Sequence, residues 1–292
     1  MRSGFVAVTG RPNVGKSTLV NGLAGDKVAI VSDKPQTTRR RISAVVDGEV
    51  AGEPYQLVLV DLPGFQRPRD PLTRRMQATV DEALEDVDGF LFVLAADETI
   101  GPGDRFIAER VYAAGPPVIV ALNKVDRLPS ARIAEQIAKA ATLGELHALH
   151  PVSALTGDGL EPLRAELAGL LPEGPRYFED GVRTDLPLED RVAEVVREKA
   201  LQLTREEVPH AISVEVDELD AGAGRISAQV WVETQSQKGI VVGKGGGMIR
   251  AIGTRARPEV ESLLGRPVFL ELRVKVRPRW RRDEGALERL GI

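Results

Sequence analysis

Along residues 5–171, short apolar runs alternate with stretches whose apolar positions recur at helical spacing. The runs FVAVT, YQLVLVD, FLFVLAA, PPVIVALNK and LHPVSAL read as buried strands, and the segments between them as helices. That alternation predicts an α/β fold, a doubly wound, mostly parallel sheet with helices on both faces. The stretch LPEGPRYFEDGVRTDLP, rich in proline, glycine and charge, breaks the pattern and reads as a linker. After it the order changes. A helix over residues 189–203 precedes two alternating strands, 211–216 and 224–233, then a short helix entering GKGG, a longer helix to about 264, and a last strand over 267–276. The second part is therefore α-β-β-α-α-β, an α+β domain. The expected division is 1–172, a linker at 173–187, and 188–292. No internal repeat is visible.

Composition narrows the function classes. With 292 residues, 42% of them hydrophobic, the chain has material for two modest cores. A formal net charge of -4 argues against a surface that coats nucleic acid everywhere, so any such contact must come from a local patch. The absence of cysteine excludes disulfides and thiolate metal sites and suits a reducing compartment. The three histidines are scattered, without metal spacing. The apolar runs are far shorter than a membrane span, and the first begins too close to Met1 for a signal peptide.

Gly10-Arg11-Pro12-Asn13-Val14-Gly15-Lys16-Ser17 fits G-x-x-x-x-G-K-[ST] and lies between an expected strand and an expected helix, which opens with Lys16, Ser17 and Thr18. Glycines let backbone N–H groups turn toward phosphates, Lys16 supplies a point charge, and the Ser17 hydroxyl suits Mg²⁺. The loop implies a nucleoside triphosphate without saying which. Asn123-Lys124-Val125-Asp126 ends a later strand, where the Asp126 carboxylate can accept from N1–H and the exocyclic amine of guanine; adenine has an acceptor at N1 and would be refused. Ser153-Ala154-Leu155 ends another strand, with backbone that can meet guanine O6.

In this order the motifs resemble the translation-factor-related GTPases. The resemblance implies that Asp61, in Asp61-Leu62-Pro63-Gly64, reaches Mg²⁺ through water and that the Gly64 N–H meets the γ-phosphate. It implies a first switch at Lys34-Pro35-Gln36-Thr37-Thr38-Arg39, with Thr38 closing on Mg²⁺ and Thr37 a rival for that role. Lys16, Thr38 and Gly64 are then the residues nearest the hydrolytic chemistry. Phe65 occupies the position where Ras-like enzymes carry a water-orienting glutamine. Gln66 comes one place later, and neighbouring residues in an extended segment point opposite ways. The chain thus resembles the GTPases that lack this glutamine, in which the asparagine here numbered Asn13 often helps hold K⁺ beside the phosphates.

A second glycine-rich stretch, QKGIVVGKGGGMIRAIG, superficially repeats the first loop. Only three residues separate Gly239 from Gly243, and a glycine follows Lys244 where a hydroxyl is needed. Gly243-Lys244-Gly245-Gly246 fits G-x-x-G between two helices, the KH arrangement that clamps the backbone of about four nucleotides. Ile240, Val241, Met248 and Ile249 are either groove or core. Lys238, Lys244, Arg250, Arg255 and Arg257 flank the loop, and Arg273, Lys275, Arg277, Arg279, Trp280, Arg281 and Arg282 follow. Trp280 either stacks a base or packs the tail onto the domain.

A GTPase domain followed by a KH domain resembles the bacterial Era family over nearly the whole chain, through GRPNVGKST, PQTTR, DLPG, NKVD, SAL, REKALQLTREEVPH and VKVRPRW. Leu62 stands where that family usually has threonine, and the tail after Trp280 is short and partly acidic. The resemblance implies a cytoplasmic monomer, partly associated with the membrane, that binds GTP or GDP with Mg²⁺. It also implies binding to the 3′ end of 16S ribosomal RNA and help in assembling the small ribosomal subunit. A competing expectation is a GTPase whose basic C-terminal domain docks on membrane or protein.

Overall fold

The computed structural model describes residues 1–34, 36–65 and 68–292. The chain forms two compact units: residues 1–29, 38–67 and 76–185 in one, and residues 30–37, 68–75 and 186–292 in the other. This departs from the expected division in two ways. Residues 173–185 are not a free linker: Ser3 Oγ donates to the Pro175 carbonyl at 2.6 Å, the Tyr177 and Phe178 N–H groups donate to Gln56 Oε1, and Asp185 accepts from the Ser43 hydroxyl at 2.6 Å. Two short segments from the middle of the N-terminal sequence also belong to the C-terminal unit.

In the first unit, β1 (Arg2–Thr9), α1 (Lys16–Ala24), β2 (Ile42–Val50), β3 (Glu53–Asp61), α2 (Pro71–Glu85, its first turn counted with the other unit), β4 (Gly89–Ala95), α3 (Pro102–Ala113), β5 (Val118–Asn123), α4 (Ser130–Ala140), β6 (Ala148–Pro151) and α5 (Leu160–Leu170) succeed one another. The sheet order is β2-β3-β1-β4-β5-β6, parallel except for β2, which runs antiparallel to β3. The central strands read as unbroken apolar runs because both faces are covered: every residue of β4 and β5 is buried. β2 was not among the expected strands. Toward its end, Asp47, Gly48 and Glu49 break the apolar run and are partly or fully exposed, as suits an edge. From β1 the chain winds outward to β3 and then returns to β4 on the other side, so the loops after β1 and β3 open at the topological switch point.

The second unit holds α6 (Leu188–Leu203), α7 (Val208–Ala211), β7 (Ser213–Asp220), β8 (Arg225–Val232), α8 (Gln235–Val242), α9 (Gly247–Leu264), β9 (Phe269–Val276) and α10 (Glu284–Arg289). Its sheet is β7-β8-β9, with β7 antiparallel and β9 parallel to β8. Val192, Val196, Ala200, Val230, Val232, Ile252, Ala256 and Val260 share one core, so α6 and α9 both lie on the buried face of the sheet. α8 begins with a capping box, in which the Thr234 hydroxyl accepts the Gln237 N–H while Gln237 Oε1 accepts the Thr234 N–H.

Candidate functional site

β1 ends at Thr9 and α1 starts at Lys16, so the phosphate-type loop joins strand directly to helix. Gly10 has φ 144° and Gly15 φ 99°. A Cβ on Gly10 would stand 2.5 Å from the Val93 carbonyl oxygen, and one on Gly15 would stand 2.3 Å from Asn123 Nδ2. Only glycine fits either place, and the resulting curvature gathers the loop at the positive end of α1. Lys16 is buried, and its Nζ donates to the Gly10 and Arg11 carbonyls at 3.1 and 3.0 Å. Burial lowers its pKa to about 8, against the opposing pull of Asp61. Arg11 anchors the loop from outside, donating to Asp104 at 2.7 Å and Glu98 at 2.9 Å. Pro12 and Asn13 are exposed, Asn13 at φ 65°, and Val14 is buried.

Beside Lys16 three oxygen donors converge. Ser17 Oγ donates to Asp61 Oδ2 at 2.7 Å, and Thr38 Oγ1 lies 3.1 Å from Ser17 Oγ and 3.3 Å from the same carboxylate oxygen. Asp61 is fully buried and its Oδ1 has no hydrogen-bond partner among the described residues. Burial raises its pKa, opposed by Lys16, Ser17 and Thr38. Two hydroxyls and a carboxylate with an orphaned oxygen fit a hard divalent cation such as Mg²⁺. Thr37 faces elsewhere, its Oγ1 donating to the Lys34 carbonyl at 2.6 Å. Gly64 abuts the loop: a Cβ there would be 3.0 Å from Pro12 Cγ. Phe65 is buried, edge-on to Phe106 with ring centroids 6.5 Å apart and with the Arg110 guanidinium over it. Pro35 and Gln66 lie outside the described residues.

Asn123 binds three loops together: its Nδ2 donates to the Val14 carbonyl, and its Oδ1 accepts the Ala154 N–H, both at 2.9 Å. With both ends occupied it braces these loops against one another. Lys124, at φ 68°, lies 3.6 Å from the carboxylates of Asp97 and Glu98. Asp126 is exposed and accepts the Ser153 hydroxyl at 2.6 Å, which orients its carboxylate, while Leu155 is 76% exposed.

In the second unit, residues 243–246 join α8 to α9. Gly243 has φ 72°, and a Cβ there would be 2.7 Å from the Met248 nitrogen; Gly245 and Gly246 have φ 57° and 77° with open space around them. Lys244 is exposed. Next to the loop runs a groove of about 280 Å³ lined by Gly246, Ile249, Arg250, Gly253, Thr254, Arg257, Leu270 and Leu272. Of the apolar candidates, Ile249 lines this groove, Ile240 is exposed, Met248 packs partly on the core, and Val241 is core outright. Gly239 is exposed and Lys238 half-buried, one turn before the loop.

Gly253, Thr254, Leu270 and Leu272 were not foreseen. Their signal is positional, since 249, 250, 253 and 257 share one stripe of α9, just past its N-cap Gly246, and 270 and 272 share one face of β9. Trp280 is buried, its indole N–H donating to the Ala211 carbonyl at 2.8 Å, so it packs the tail and does not stack a base. Arg273 and Arg281 are paired with Glu271 and Glu233, and Arg277 lies over the Trp231 ring, whereas Arg255, Lys275, Arg279 and Arg282 are exposed.

Comparison with known proteins matches both domains. The 50S ribosome-binding GTPase family model matches residues 5–124, and the KH domain model residues 207–281. The chain is 46% identical to the GTPase Era of Mycobacterium tuberculosis H37Rv, over 99% of this chain and 98% of that one. It is 45% identical to the GTPase Era of Mycobacterium sp. strain JLS, over 100% and 99%. Among solved structures it is similar to an Aquifex aeolicus Era variant bound to GDP.AlF4- (40% identity, TM-score 0.94, 100% and 99% covered). It is equally similar to Era in complex with MgGDPNP and nucleotides 1506–1542 of 16S ribosomal RNA (40% identity, TM-score 0.91, 100% and 99% covered).

Proposed function

The chain belongs to the Era family of GTPases and hydrolyses GTP, and from that premise we propose that its KH domain binds the single-stranded 3′ end of 16S ribosomal RNA and that it assists assembly of the small ribosomal subunit. The observation that carries this reading is the open G-x-x-G loop beside a groove that mixes Ile249, Leu270 and Leu272 with Arg250 and Arg257. Phosphates lie against the exposed loop backbone and bases enter the half-apolar groove. The related Era structure with 16S ribosomal RNA supports the choice of RNA.

For hydrolysis, Lys16 faces the β- and γ-phosphates, and the Gly64 N–H reaches the γ-phosphate. Ser17 and Thr38 would hold Mg²⁺ with Asp61 reaching it through water, and Asp126 would read guanine. Mg²⁺ supplies positive charge to the phosphate oxygens. Phe65, packed against Phe106, offers water no polar group, so charge beside the loop would carry more of the catalysis; K⁺, if held there by Asn13, would supply part of that charge. None of the described helices is long and apolar enough to cross a membrane.

Titration of the protein with a fluorescent RNA ending in the 3′-terminal 16S sequence, in the presence of a GTP analogue, tests the proposal. Tight binding that a scrambled RNA of equal length does not match is expected; equal binding of both overturns it. Turnover is expected to be faster in potassium than in sodium, and equal rates remove the K⁺ role.

A further inference from the structure

The REK stretch of α6 carries three charged side chains that are buried: Arg197, Glu198 and Lys199. Lys199 is answered within the domain by Glu198, at 2.7 Å, and by Glu259 of α9. The other two face the segment of residues 30–37, which belongs to the same unit. Glu198 Oε1 accepts the Val31 N–H at 2.9 Å. The Arg197 guanidinium, 2% exposed, donates to the Thr37 carbonyl and is held in place by Glu194, through contacts of 2.9 and 2.6 Å. The segment is thus tied near both ends by adjacent residues of one helix.

Burying an arginine and a glutamate is costly unless their partners are well placed. Here part of that pairing goes to two backbone groups of a loop, and a domain core has no need of either. The consequence follows from covalent geometry. A peptide unit is planar, so fixing the Thr37 carbonyl oxygen also fixes the amide nitrogen and Cα of Thr38. Thr38 begins the part of the chain counted with the first unit, and its Oγ1 lies 3.1 Å from Ser17 Oγ and 3.3 Å from Asp61. The planar fork of arginine serves Glu194 and a carbonyl together, which the point charge of lysine cannot do with the same geometry.

We propose that Arg197 and Glu198 are positioning residues for GTP hydrolysis: from α6 they hold the first switch segment so that Thr38 meets the Mg²⁺ site. This rests on the reading of Thr38 as an Mg²⁺ ligand. The test compares Arg197→Lys, Glu198→Gln, Thr38→Ala and the Arg197→Lys/Thr38→Ala double variant. Two readouts are used: kcat and KM for GTP, and the slowing by Mg²⁺ of release of a non-hydrolysable GTP analogue.

Arg197→Lys is expected to lower kcat on the order of tenfold and to weaken Mg²⁺-dependent retention of the analogue, with GDP affinity unchanged. The double variant is expected to be no slower than Thr38→Ala, because the arginine acts only through that threonine. Glu198→Gln keeps an acceptor for Val31 and folds on milder terms; about a threefold loss with the same signature is expected, and serves as the test if Arg197→Lys does not fold. Parental kcat and retention in Arg197→Lys and Glu198→Gln, or losses that multiply in the double variant, overturn the proposal. A slow Thr38→Ala beside a parental Arg197→Lys sinks this inference alone, whereas a parental Thr38→Ala sinks the Mg²⁺ reading beneath it.

Discussion

The two glycine-rich loops, residues 10–17 and 243–246, use the same residue types to opposite ends. In the first, added Cβ atoms would stand 2.5 and 2.3 Å from neighbouring atoms, the lysine is buried, and Asn123 closes the far side. In the second, only Gly243 is crowded, Gly245 and Gly246 face open space, and Lys244 is exposed. A small anion that must be held on all sides calls for a closed cradle whose lysine is already desolvated. A polymer that enters and leaves sideways calls for bare backbone with nothing over it. Glycine serves both, in one case because a neighbour leaves no room for a side chain and in the other because a ligand must come close.

The contrast breaks first at Gly15. Gly15→Ala puts a methyl group into Asn123 at a φ that L residues rarely adopt, so GDP affinity is expected to fall by about a hundredfold or more, as calorimetry measures. An alanine variant that binds GDP like the parent shows that the loop is not closed by Asn123. A smaller effect comes from Lys244→Asp with Gly245→Asp. Space is open at Gly245 but its φ of 57° strains any L residue, so the protein is expected to melt somewhat below the parental temperature with GTP turnover intact. RNA affinity is expected to drop roughly ten- to a hundredfold, with a shallower salt dependence. Unchanged RNA binding removes the clamp reading, and loss of GTP binding revives a second phosphate site.

The smallest effect is a pH dependence of the closed loop. Burial holds the Lys16 ammonium down to about 8, and bound phosphate raises it again. Binding therefore takes up a proton above that pH and none well below it, so GDP affinity falls as pH rises. From about pH 7.5 to about 8.5 the loss is roughly threefold. A GDP affinity independent of pH there contradicts the burial of Lys16.

The order of the GTPase motifs was legible because each depends on spacing within a few residues, and the backbone of a strand-loop-helix turn is set locally. G-x-x-x-x-G-K-S, D-x-x-G, N-K-x-D and G-x-x-G are of this kind. The α-β-β-α-α-β order of the second domain was legible for the same reason, since a period of two or of 3.6 is a local property. β2 escaped notice because an edge strand with an exposed polar end lacks the unbroken apolar run of the central strands. Thr37 and Thr38 could not be separated, because neighbouring hydroxyls on an extended chain differ only in what surrounds them. In the structure one faces the Lys34 carbonyl and the other Asp61.

What the sequence by itself determined is the chemistry available and the local frame that holds it: two glycine loops with a lysine, an aspartate at a strand end, a basic C-terminal third. Tertiary structure alone decided which of those groups meet. It took Trp280 and Val241 into the core, opened a groove between α9 and β9, and set Arg197 against a carbonyl 160 residues away in the chain. The physical reason is that burial and pairing belong to contacts between elements distant in sequence, and no spacing along one chain segment encodes them.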